Sequence, residues 1–147
     1  MAISIKLNGL SDAVGTITKI PEALNREVIL ELSQITYDGI QEGAGRHRGE
    51  TGALFASVYN RSIGKNARQV GHDEKRAPHA IFVTAGTRPH EIRPKDKKSL
   101  RWVVGNRFVF AKSVKHPGYR GDGYMLHALT IALRQLPEIT DRAMKGL

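Results

Sequence analysis

Hydrophobic period changes twice along this chain. From Pro21 to about Ile40 the apolar residues Leu24, Val28, Leu32 and Ile35 recur at three and four, the spacing of an amphipathic helix. The same spacing returns from about Tyr124, through Met125, Leu129, Ile131, Leu133 and Leu136. Between these stretches lie short runs rich in β-branched and aromatic residues, separated by Gly, Pro and Asn, which is the pattern of antiparallel strands and turns. Helix, strands, helix is an α+β arrangement. The expected architecture is an antiparallel sheet of about four to six strands packed on one face by the N-terminal long helix and the C-terminal helix.

Local chemistry sharpens the element boundaries. Ile3, Ile5 and Leu7 alternate like a half-buried edge strand, closed by Asn8-Gly9. Pro21 suits the first position of the first helix, with Glu22 and Glu27 toward the positive end of its dipole. Gly39, Gly43 and Gly45 are expected to end that helix, and a mobile loop is expected near 43–52. Leu54 to Ile63 and Ala67 to His72 read as a strand pair around Gly64-Lys65-Asn66, and Ala80 to Thr84 as a central strand. Leu100 to Val104 and Arg107 to Val114 form a hairpin joined by Gly105-Asn106, a two-residue connection suited to positive φ. His116-Pro117-Gly118 is a further turn. Mobile loops are expected near 86–100 and 116–123, and Pro137 is expected to kink or break the last helix.

At 147 residues the chain is expected to form one domain spanning 1–147. It has no cysteine, which excludes disulfides and thiolate metal sites. No apolar run approaches a membrane span and Met1 to Leu10 lacks a signal-peptide core, so a soluble, non-membrane protein is expected. The formal net charge is +9, and its placement matters more than its size. Residues 1–45 hold three basic and six acidic residues, whereas 86–120 hold ten basic and two acidic. The excess therefore sits in the middle of the chain.

The segment from Gly86 to Leu129 carries the most specific signals. Its landmarks are Gly86-Thr87, Pro89-His90, Ile92, Pro94-Lys95, Leu100, Trp102, Phe110-Ala111-Lys112, His116-Pro117-Gly118, Tyr124-Met125 and Ala128-Leu129, preceded by Thr51-Gly52-Ala53-Leu54. In order and spacing this resembles the gene-product-ten-like family of the Hong Kong ninety-seven phage, small neck or tail-completion components of long-tailed bacteriophages, over about residues 20 to 135. Tyr124 stands where the family pattern carries phenylalanine, a change that keeps the ring. The resemblance implies a non-enzymatic structural virion protein of a siphophage-like virus or prophage. Its subunits would be arranged as a homo-oligomeric ring in the neck or tail, joining head to tail or completing the tail. It implies assembly in the host cytoplasm beside neck, tail-tube or tail-terminator proteins, with no cofactor.

The residues themselves suggest two kinds of contact. Arg46, Arg48, Arg93, Lys95, Lys97, Lys98 and Arg101 are candidates to touch translocating DNA or an acidic partner, because lysine and arginine neutralise phosphate irrespective of sequence; a solvated loop is the plain alternative. Trp102, Phe108, Phe110, His116, Tyr119 and Tyr124 are candidates for an oligomer or neighbour-protein interface, with the hairpin aromatics equally readable as core. A basic DNA-binding protein or Mg-dependent nuclease is the competing class. For the nuclease, Asp73-Glu74 and Asp96 with Lys97 and Lys98 would have to converge, yet Asp96 sits in a polar, proline-flanked loop. His47, His72, His79, His90, His116 and His127 lack metal-ligand spacing. Ser57, Ser62, Ser99 and Ser113 have no neighbouring base in sequence, so no nucleophile is expected.

Overall fold

A computed structural model describes residues 4–7, 22–47, 49 and 51–145. Their order is β1 (Ser4–Leu7), α1 (Glu22–Arg46), α2 (Ala53–Ala56), β2 (Val58–Gly64), β3 (Ala67–His72), α3 (Ala80–Ala85), β4 (His90–Ile92), β5 (Leu100–Val104), β6 (Arg107–Ala111), β7 (Val114–His116) and α4 (Tyr124–Lys145). The fold is α+β, with a long N-terminal helix, a C-terminal helix and small antiparallel sheets. Seven strands form three sheets instead of one of four to six: β1-β3-β2, then β4-β7 and β5-β6. α1 packs on β2 and β3, while α4 packs along α1.

α1 follows from its period. Leu24, Val28, Leu32 and Ile40 are buried, and the buried hydroxyl of Thr36 donates to the Leu32 carbonyl one turn back. The glycines expected to stop this helix lie inside it, so residues 43–46 are helix and not loop. Their role is close approach: a Cβ at Gly39 would lie 2.8 Å from the Ala128 Cβ, and one at Gly43 2.5 Å from the Tyr124 Cβ. α4 likewise continues through Pro137, because Ala132 and Ile139 on either side of it are buried against Val28, Ile29 and Leu32. Tertiary packing here outweighs the one helical hydrogen bond that proline removes.

Two strand assignments change. Ala80–Ala85 is a short helix in which the Thr84 hydroxyl donates to the Ala80 carbonyl. An apolar run this short does not distinguish buried strand from buried helix by period. The start of the expected Leu54–Ile63 strand is α2, entered through Gly52 at φ +61°, and β2 begins only at Val58. β1 does occupy a sheet edge, pairing Ser4 with Gly71 and Leu7 with Arg68; Ile3 lies outside the described residues. β3 is central, and Val70 is fully buried there with Leu54, Ile40 and Met125.

Candidate functional site

Beyond Gly86 the chain leaves this core as an antiparallel arm. Thr87 and Tyr119 exchange both backbone hydrogen bonds, at 2.7 and 2.9 Å. The same register carries on through His90 opposite His116 and Ile92 opposite Val114. Residues 93–99 then bulge out on one side only, and pairing resumes with Leu100 opposite Ala111, ending at Val104 opposite Arg107. Gly105 alone takes positive φ in the tip turn, the pattern of a type II′ hairpin. Residues 90–92 and 119, expected in mobile loops, are thus paired backbone, and the second hairpin strand stops at Ala111, with Val114–His116 forming β7.

The root of the arm explains the glycine landmarks. A Cβ on Gly86, at φ +82°, would fall 2.2 Å from the Tyr119 carbonyl oxygen; one on Gly118, at φ +85°, would fall 2.6 Å from that of Thr87. Backbone meets backbone at this crossing, so only glycine fits. His116 supports the turn by accepting the Gly118 N–H at Nδ1, and its ring stacks on that of His90 with centroids 5.0 Å apart. Ser113 and Arg93 both hydrogen-bond the Glu91 carboxylate and hold it below the ordinary carboxylate range.

The arm's side chains divide between its two faces. Arg101, Val103, Phe108 and Phe110 share one, and Leu100, Trp102, Val104 and Val109 the other, since residues directly opposite in an antiparallel pair share a face. Val103, Val104, Phe108 and Phe110 are 58 to 61% exposed and Trp102 37%. The core reading of Trp102, Phe108 and Phe110 is therefore set aside. The Arg101 guanidinium lies over the Phe108 ring, 4.7 Å from its centroid. Neither β5 nor β6 packs substantially on any described element except the other.

The candidate cations do not form one site. Lys95, Lys97 and Lys98 stand exposed in the 93–99 bulge without an ion pair to any described residue, whereas Arg93 is paired with Glu91 at 2.7 Å. Arg46 is at the end of α1 on the body, 3.8 Å from Glu42, and Arg48 lies outside the described residues. Of the interface candidates, Tyr119 is exposed at the arm root and His116 is half-buried, but Tyr124 is only 1% exposed. Tyr124 is a core residue and not available to a partner.

Comparison with models of known protein families, with curated proteins and with solved structures finds no match.

Tyr124 belongs to a buried polar chain that the sequence reading missed. Its hydroxyl lies 2.7 Å from His72 Nε2, and His72 Nδ1 lies 2.7 Å from Ser57 Oγ. Ser57 in turn donates to the Leu54 carbonyl. Ser57 thus has a base beside it, fifteen residues along the chain, across the β2–β3 pair. The two ring nitrogens of His72 are thus each met by a hydroxyl, Ser57 on one side and Tyr124 on the other. Burial pushes the His72 imidazole down to about 4, so it is neutral at pH 7, and burial raises the Tyr124 phenol. Alongside, His47 Nε2 lies 2.6 Å from Asp122 Oδ2 and ties the end of α1 to the loop before α4.

The nuclease residues occupy separate parts of the molecule, with Asp73 and Glu74 just after β3 and Asp96, Lys97 and Lys98 in the arm bulge. Among the described residues no three His, Asp or Glu side chains converge as a metal site, and no helix is long and apolar enough to cross a membrane.

Proposed function

We propose that this protein is a non-enzymatic structural component of a siphophage-like virion or prophage, a ring-forming head-tail joining or tail-completion subunit of the neck or tail. The observation that carries the reading is the arm: 33 residues from Thr87 to Tyr119, whose tip β5–β6 exposes large apolar side chains on both faces, rooted at the glycine landmarks of the phage-family pattern. A two-stranded ribbon is at best marginally stable by itself in water, and its exposed apolar surface is explained by a protein surface that covers it. Copies of the chain supply that surface, and the larger sheet expected from sequence would arise on assembly, strand beside strand. Neighbouring neck, tail-tube or tail-terminator proteins would stack on the ring, assembled in the host cytoplasm. Light scattering of the full chain across a concentration series, with and without proteins encoded beside it, tests this. The expected result is a discrete oligomer; a strict monomer throughout, indifferent to those proteins, counts against it.

The three unpaired lysines of the bulge favour one second reading, a sequence-independent DNA contact. A gel shift with duplex DNA that is abolished by Lys97→Glu with Lys98→Glu supports it, and Mg²⁺-dependent cleavage of that DNA would replace the structural reading with the nuclease.

A further inference from the structure

We infer that the tip of the arm, β5–β6, docks on the exposed leucine flank of α4 in a second copy of this chain. The inference rests on the ring reading and names the surfaces that make the contact.

The helix offers a second uncovered apolar surface. α4 buries Met125, Ala128, Ala132 and Ile139 along one stripe. Beside that stripe runs another at helical spacing, Leu126, Leu129, Leu133 and Leu136, continued by Met144. Leu126 is 69% exposed, Leu133 45% and Met144 53%, with Leu129 and Leu136 half-buried between them. α4 turns its buried stripe toward α1 and the core, which leaves this flank open among the described residues. Each copy therefore carries one apolar arm and one apolar ledge that do not meet within the chain.

Area and charge both favour a second copy as the occupant. Aromatic side chains carry roughly 150–250 Å² each, so the five large apolar residues of the tip leave on the order of 500 Å² in water, which is high for an isolated subunit. A stable interface buries roughly 800 Å² per partner, in which this apolar surface would form the centre and the basic edges the rim. The arm holds nine basic and two acidic residues, whereas α1, next to the receiving helix, holds five acidic and two basic. Glu27, Asp38 and Glu42 of α1 and Glu138 of α4 are exposed. A nucleic acid would satisfy the lysines but leave the valines and phenylalanines facing phosphate. Arm-on-ledge contact is head-to-tail, and a head-to-tail contact closes into a ring when its rotation permits.

The absence of native cysteine makes the contact open to disulfide mapping. Val103→Cys, on the face of Phe108 and Phe110, is placed in one preparation of the full chain and Leu133→Cys in another, and the two are mixed under mild oxidation at a concentration where light scattering gives the oligomer. A mixed disulfide is expected in large excess over either symmetric one. Adding Phe108→Ser and Phe110→Ser to the Val103→Cys copy is expected to lower its yield at least about tenfold. These side chains are outside the core, and an unchanged melting temperature verifies that the variant folds. An oligomer that persists in the Phe108→Ser, Phe110→Ser variant, with no Val103–Leu133 cross-link, overturns the docking while leaving the ring intact. A monomer at every concentration overturns both. Duplex DNA binding that disappears with the two phenylalanines, without any cross-link, assigns the arm to nucleic acid and also overturns the docking.

Discussion

His72 shows how a buried titratable residue gives the whole chain a pH dependence. Its folded value near 4 lies below the 6.5 of the exposed imidazole, so between those values the unfolded chain binds more protons than the folded one. The stabilisation is fully present above pH 6.5 and is lost as pH falls toward 4, a change on the order of 3 kcal/mol. Urea midpoints measured through that window should fall with pH, and His72→Gln should remove most of the slope. Tyr124→Phe leaves His72 Nε2 without its hydrogen-bond partner and should cost about 1–3 kcal/mol. Gly43→Ala sets two effects against each other. An exposed helical glycine gains up to about 1 kcal/mol on becoming alanine, but a Cβ 2.5 Å from the Tyr124 Cβ forces the two helices apart. Overpacking of this kind costs about 1–3 kcal/mol, so a lowered melting temperature is expected and a raised one would refute the close approach.

The helices and the arm were legible in the sequence to different degrees, for physical reasons. Period located α1 and α4 because each buries a continuous stripe, but it misjudged where they end. Gly39 and Gly43 look like stop signals locally, and only the helix crossing at Ala128 and Tyr124 reveals them as contact points. At Pro137 the helix does not break, because packing continues on both sides. Ala80–Thr84 was too short for period to decide. The hairpin at Gly105-Asn106 was readable from its turn, whereas its continuity with β4 and β7 was hidden, because the 93–99 bulge separates the paired runs. His72 and Ser57 gave no sequence signal, since a cross-strand pair joins residues fifteen apart. The arm root is testable as an element. Gly86→Ala, which drives a Cβ against the Tyr119 carbonyl, should loosen the Thr87–Tyr119 pairing far more than Gly105→Ala. The Gly105 Cβ meets nothing within 4 Å and incurs only the roughly 1–2 kcal/mol of left-handed backbone. Amide exchange at Thr87 and Tyr119 reads the difference.

For the molecule as a whole, charge and apolar exposure are divided between the same two regions. The body holds its core between α1, α4 and the three-stranded sheet; the arm holds most of the net positive charge and a cluster of exposed aromatic rings. Self-association through that division should weaken as salt rises toward 0.5 M, since contacts between exposed opposite charges are screened at roughly 10 Å in 0.1 M salt and at shorter range above it. The apolar part should persist. Hydrogen exchange at low and high protein concentration tests the intermolecular role of the arm most directly. Amides of residues 100–111 should exchange freely in dilute protein and become protected together with residues 126–136 as concentration rises. Protection in both segments that is independent of concentration, while light scattering gives one constant monomer mass, would contradict the account.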